Sequence, residues 1–124
     1  MSDDPKTILI VEDDPSTRSL LVALMRRDRL ESAVASNAQE ALALLRERTF
    51  DLILLDLMLP GVSGHEVVAF VRAEGRGEPV IVCTAAGPRA TAEIDRSTVS
   101  AVIQKPFDVD ELMSVVASIL KKRE

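Results

Sequence analysis

The amino-acid sequence predicts an α/β fold, a doubly wound parallel sheet of five strands with helices on both faces. Three observations lead there. Short apolar runs of strand length alternate along the chain with longer stretches of helical period. Three of those runs, "TILIV", "LILL" and "VIVC", are almost unbroken Ile, Leu and Val, the composition of strands covered on both faces. The length of 124 residues, 47% of them hydrophobic, suits one domain with one sizeable core spanning residues 1–124.

In order, the first strand is expected over residues 7–11, followed by a helix that Asp14 caps, with Pro15 at its first position and Leu20, Leu21, Leu24 and Met25 as its inner stripe. A second strand over 32–35 leads to a helix opened by Asn37, with Glu40 at the capping-box spacing and Ala38, Ala41, Leu42 and Leu45 facing inward. The third strand, 52–55, precedes a helix opened by Ser63 with Glu66, and the fourth strand covers 80–83. The next stretch, "GPRATAEIDRSTVS", offers Ile94 and a few small residues for burial, so a fourth helix there is expected to be short and loosely held. A fifth strand over 101–104 and a helix opened by Asp108 with Glu111, lined by Leu112, Val115, Val116 and Ile119, complete the series.

Composition narrows the function classes. The formal net charge of -5 argues against a nucleic-acid surface, and the one basic cluster, Lys121 to Arg123, complements the dipole of the last helix. Cys83 stands alone inside an apolar strand, which excludes a disulfide within the chain and points to a buried structural thiol in a reducing compartment. No run approaches the roughly 18 apolar residues of a membrane span, and "MSDDPKT" lacks the features of a signal peptide, so a soluble, cytoplasmic protein is expected. His65, the single histidine, follows "SG" in the first turn of a helix and reads as a surface residue.

One stretch, "DLILLDLMLPG", raises a chemical question: a strand buried on both faces ends in a carboxylate, Asp56. Such a group needs a partner or a cation. In a parallel sheet of this kind the carboxyl ends of the strands lie along one edge, where ligands bind at the switch in strand order. That edge collects Glu12, Asp13 and Asp14 after the first strand, Asp56 after the third, Thr84 after the fourth and Lys105 after the fifth. Two carboxylates about 5 Å apart repel by roughly 3 kcal/mol at an effective dielectric of 20, more in sum than one lysine offsets, so a divalent cation is implied. An all-oxygen acidic site suits Mg²⁺, with Mn²⁺ tolerated.

The segments "ILIVEDDP", "DLILLDLMLPGVSG", "PVIVCTA" and "IQKPF", in this order and spacing, resemble the receiver domain of bacterial two-component response regulators. The resemblance implies a flavodoxin-like sheet of strand order 2-1-3-4-5. It further implies that Asp56 accepts a phosphoryl group from the phosphohistidine of a sensor histidine kinase or histidine phosphotransfer protein. Asp13 would ligate Mg²⁺ directly, Glu12 through water, and the Met58 backbone carbonyl would join Asp56 in completing the set. Lys105, before a Pro106 that the family keeps cis, would pair with the phosphoryl oxygens, and Thr84 would turn its hydroxyl toward the acyl phosphate. The output would be a switched protein surface read by a downstream protein, without nucleic acid or membrane, in a monomer or weak homodimer.

Departures from the family pattern concern the output face. The aromatic residue usually found three positions before the lysine is Val102 here, and the small pair that usually precedes the fifth strand is missing. The residues that flank the acyl phosphate in the family, Met58 and Ala86, carry no group able to orient water, which predicts slow self-dephosphorylation. With no output domain after residue 124, a stand-alone switch and not an enzyme is expected. Two other functions compete with it. A degenerate receiver would act as a phosphorylation-independent interaction module, and a haloacid-dehalogenase-type phosphohydrolase would need a second Asp where Met58 stands.

Overall fold

The computed structural model describes residues 4–123. Five parallel strands, β1 (Thr7–Val11), β2 (Glu31–Ala35), β3 (Leu52–Leu55), β4 (Val80–Thr84) and β5 (Val99–Gln104), form one sheet in the order β2-β1-β3-β4-β5, the expected arrangement. The five helices are α1 (Pro15–Arg27), α2 (Ala38–Glu47), α3 (His65–Ala73), α4 (Pro88–Ala92) and α5 (Val109–Lys122).

Alternate residues of the strands feed two separate cores, because successive side chains point to opposite faces. Leu9, Val11, Ile53, Leu55, Val80 and Val82 pack with α2, α3 and Ile94. Ile8, Ile10, Leu52, Leu54, Ile81, Cys83 and Ile103 pack with Leu21, Leu24 and Met25 of α1 and with Leu112, Met113, Val116 and Leu120 of α5. Each of these large side chains stabilises the fold by about 1.5–3 kcal/mol on burial. All four residues of β3 are buried, which explains its unbroken apolar sequence.

Three of the helix starts follow the sequence. Asp14 accepts from the Thr17 N–H, Asn37 from the Glu40 N–H and Asp108 from the Glu111 N–H, each across the three-residue spacing of a capping side chain. The third does not. α3 starts one residue later than Ser63 would set it, with Gly64 at the cap and Ser63 Oγ accepting the His65 N–H (3.2 Å) in place of the Glu66 N–H. The reason is steric: a Cβ at Gly64 would lie 2.4 Å from the Asp56 carbonyl oxygen and 2.8 Å from Leu57 Cα, so the close seat of α3 on the end of β3 admits only glycine. Leu20, expected on the inner stripe of α1, is exposed, because Leu21, Leu24 and Met25 already fill the space against the sheet.

α4 is as short as the sequence implied, five residues with none buried. After it, the Asp95 carboxylate gathers the Ser97 N–H, the Ser97 and Thr98 hydroxyls and the Arg72 guanidinium of α3 (3.2 Å). These bonds hold its carboxyl below the usual range, the Ser97 hydroxyl contributing most. β5 begins earlier than expected and bulges, with Val80 opposite Val99 and Ile81 opposite Ala101, leaving Ser100 as the extra residue.

At the amino edge of the sheet, Arg76 and the buried Glu78 pair, the hydrogen bond from Arg76 to Glu78 raising the guanidinium further above its ordinary value. Arg76 also donates to the Leu45 and Arg48 carbonyls at the end of α2, while Glu78 accepts from the Phe50 N–H at 2.7 Å.

Candidate functional site

Glu12, Asp56 and Lys105 are delivered by the backbone ladder. The Glu12 N–H bonds the Ala35 carbonyl, the Asp56 N–H the Val11 carbonyl and the Lys105 N–H the Thr84 carbonyl, so the pairing of the strands continues one residue past their ends. The side chains of Glu12, Asp56, Thr84 and Lys105 therefore converge over the carboxyl edge between β1 and β3, the point where the strand order reverses.

Asp56 is 6% exposed and both of its oxygens are engaged. Oδ1 accepts from the Thr84 hydroxyl (2.8 Å) and the Met58 N–H (2.9 Å), and Oδ2 accepts from Lys105 Nζ (2.8 Å). The same ammonium donates to Glu12 Oε1, and the other Glu12 oxygen accepts from the Asp14 N–H at 3.1 Å. Burial works against the Lys105 charge, but its bonds to Asp56 and Glu12 outweigh this and raise its pKa above the ordinary 10.5. Thr84 in turn accepts from the Ala86 N–H (3.1 Å), and the Ala86 carbonyl accepts from Gln104 Nε2 (3.3 Å). Lys105–Pro106 is a cis peptide bond.

Asp13 differs from its neighbours. It is exposed, and among the described residues no protein donor holds its carboxylate. One oxygen each of Glu12, Asp13 and Asp56 nevertheless lie within 4.8 Å of one another, facing a single ammonium. Three carboxylates share one ammonium, which bonds only Glu12 and Asp56. The donor set is all oxygen and acidic, which fits Mg²⁺, and the free Asp13 carboxylate is the group with most capacity for a direct bond to it.

The residues singled out from the sequence are thus brought together: Glu12, Asp13, Asp56, Met58, Thr84 and Lys105 share this edge, and Asp14 caps α1 beside it. Met58 is 59% exposed and Ala86 is buried, and neither side chain carries a polar group to turn toward Asp56. Val102 is half-buried against the core on the α2 and α3 face. His65 corrects the surface reading: it is half-buried, and its Nε2 is buried without a hydrogen-bond partner among the described residues. Two contributors went unread. Gly64 was seen only within a motif, and its signal is the absence of room for a Cβ. Arg18, four residues into α1, donates through one guanidinium nitrogen to the Glu12 carbonyl (3.0 Å), the Asp13 carbonyl (3.4 Å) and Ser36 Oγ (3.4 Å). A cation so near a helix N-terminus opposes the dipole, and that mismatch was its available signal.

Residues 8–117 match the profile of the response regulator receiver domain family, and the chain belongs to that family. It is 36% identical over 118 residues to the DNA-binding response regulator MtrA of Mycolicibacterium smegmatis, covering 94% of this chain and 51% of that protein, so it spans about half the length of that relative. A segment of the sensor histidine kinase AruS of Pseudomonas aeruginosa is 35% identical over 117 residues, covering 90% of this chain and 12% of AruS. Among solved structures, the response regulator TrrA of Thermotoga maritima, in complex with Mg²⁺ and BeF, superposes with a TM-score of 0.83 at 31% identity, covering 92% of this chain and 98% of that one. The Francisella response regulator 1452 receiver domain superposes with a TM-score of 0.87 at 25% identity, covering 96% and 99%. Among the described residues no helix is long and apolar enough to cross a membrane.

Proposed function

We propose that this receiver domain is a phosphorylation switch whose acceptor is Asp56, served by Thr84 and Lys105 and by a Mg²⁺ held by Glu12, Asp13, Asp56 and the Met58 carbonyl. The observation that carries this reading is the division of labour at Asp56: one oxygen faces a hydroxyl and a backbone N–H, the other an ammonium.

In the transfer, a carboxylate oxygen of Asp56 forms a bond to phosphorus as the P–N bond of a donor phosphohistidine breaks, and the imidazole leaves with the electron pair. Such a displacement needs positioning and cancellation of charge on the equatorial oxygens. Lys105 supplies one positive charge, fixed beforehand by its bonds to Asp56 and Glu12. The Thr84 hydroxyl supplies a donor that passes from the carboxylate to the new phosphoryl group. Mg²⁺, when bound, neutralises charge on the transferred group and on the acidic cluster together.

The donor in this reading is a sensor histidine kinase or histidine phosphotransfer protein, and the reader is a downstream protein docking on the face that includes α4 and β5. Mn²⁺ would be accepted in place of Mg²⁺ by the same oxygen set. The domain acts as a covalently modified switch in the cytoplasm, with hydrolysis of its own acyl phosphate as its sole turnover.

Beryllofluoride binding followed by calorimetry and ¹⁹F NMR tests the proposal. The expected result is binding that requires Mg²⁺ and is lost in Asp56→Asn. Failure of the wild type to bind would overturn it and favour an interaction module indifferent to phosphorylation.

A further inference from the structure

We infer that Arg18 is a positioning residue for the Mg²⁺ site, one that fixes the ligand Asp13 by gripping the backbone rather than the carboxylate. The inference rests on the metal-dependent reading above, and its own content is the identity of the residue that holds the acidic loop in place.

The three carboxylates are secured unequally. Asp56 has three donors and Glu12 has two, so their oxygens are fixed by the protein itself. Asp13 has none among the described residues, and its carboxylate goes where the peptide units on either side direct it. Those units lie outside the sheet ladder, which ends at the Glu12 N–H to Ala35 carbonyl bond (3.0 Å). Beyond that bond, the carbonyls of Glu12 and Asp13 both turn to Arg18, and the same nitrogen reaches Ser36 Oγ at the end of β2. Arg18 thereby ties the acidic loop to the neighbouring β2–α2 loop.

Two physical effects of Arg18 have opposite signs. As a fixed cation near the acidic loop it repels a divalent cation, which by itself weakens binding. As the clamp on two carbonyls it removes conformations in which Asp13 points away, which strengthens binding in the manner of partners that orient metal ligands. The geometry favours the clamp, because the guanidinium spends its bonds on carbonyls and a hydroxyl and makes none to the carboxylates that would take the ion. The arrangement also accounts for a basic residue at an otherwise unfavourable place near the start of α1.

The sign of the change in Mg²⁺ affinity separates the two effects. Intrinsic fluorescence offers no signal, since the chain has neither Trp nor Tyr, so isothermal calorimetry and ¹⁵N NMR titration of the Asp13 and Asp56 amides are the readouts. For Arg18→Ala the expectation is a loss of about tenfold in Mg²⁺ affinity. Arg18→Lys, which keeps the charge and a donor, recovers part of that loss, and Ser36→Ala, which leaves both carbonyl bonds intact, stays closer to wild type than Arg18→Ala. The variants are compared well below their melting temperatures without metal, so a general loss of stability does not imitate a loss of affinity. A change under about twofold in Arg18→Ala, or a tightening, would overturn the inference and leave Arg18 as a like charge only. If wild type itself binds no Mg²⁺, the underlying reading of the site fails instead, a result distinct from wild type and Arg18→Ala binding alike.

Discussion

Lys105 Nζ lies 2.8 Å from Asp56 Oδ2 while it also donates to Glu12, so one ammonium holds two buried carboxylates from opposite sides of the crevice. Removing it leaves both uncompensated. Lys105→Met is expected to lower stability by about 3 kcal/mol in chelator, with Mg²⁺ restoring a good part of it. Because the folded pKa of Lys105 lies above its ordinary 10.5, the stabilisation is complete below that pH and fades only as pH rises through the folded value. The difference between wild type and variant is therefore flat over about pH 6 to 9 and narrows above 10.5, as denaturant melts across pH would register.

Gly64 joins the seat of α3 to the peptide of Asp56 itself. An added methyl would meet two backbone atoms, neither of which yields cheaply. Gly64→Ala is expected to cost about 2 kcal/mol of stability and to weaken Mg²⁺ binding by displacing the turn that carries Met58. A variant with unchanged urea midpoint and unchanged Mg²⁺ affinity would refute this.

The acyl phosphate should be long-lived. Neither the side chain of the exposed Met58 nor that of the buried Ala86 carries a polar group that could orient an attacking water. Placing an amide there with Met58→Asn is expected to speed self-dephosphorylation about fivefold, a modest share of what positioned acid–base groups contribute. Loss of ³²P from acetyl-phosphate-labelled protein gives both rates, and a wild type that already loses its label quickly contradicts the expectation.

Coupling to the output face is expected to run through the segment after Thr84. That segment has a five-residue helix with no buried side chain, anchored by Ile94 and the Asp95 knot, and it connects to Asp56 through the Ala86 N–H and Thr84. Val102 has no ring to reorient, so a loosely held backbone is the element left to respond. Amide hydrogen exchange should change across residues 85–100 when Mg²⁺ and beryllofluoride bind. Identical protection in both states would sink the idea.

Cys83 should be chemically silent. Burial pushes its thiol up to about 11, with Lys105 partly opposing the shift, and its side chain sits in the core beneath α1 and α5. Disulfide-exchange reagents at about pH 8 are expected to react only at the rate of unfolding. Rapid labelling of the native protein would place the thiol elsewhere.

The sheet and the acidic edge were legible for the same reason. Strands buried on both faces must be written in apolar residues, so the polar residue that ends each one stands out, as Asp56 and Thr84 do. What escaped the sequence was contact made by backbone. Arg18 acts on carbonyls that every residue possesses, and Gly64 acts by lacking a side chain, so neither advertises a chemical partner. The Ser63 cap failed on similar grounds: its spacing to Glu66 was right, but close approach of two backbones moved the helix start. Leu20 fitted the helical period and is exposed all the same, since period fixes a face and packing fixes how wide a stripe is covered.

The pairing of Arg76 with Glu78, and their hold on the end of α2 and on Phe50, lies at the opposite ends of the strands from the acidic crevice. The architecture is in this sense modular within a single domain. A buried ion pair stands at each pole of the same sheet, and only the one at the crevice belongs to the acidic cluster. Substitution of Arg76 or Glu78 is therefore expected to lower stability while leaving the arrangement of Glu12, Asp56, Thr84 and Lys105 in place, because the two groups share no partner.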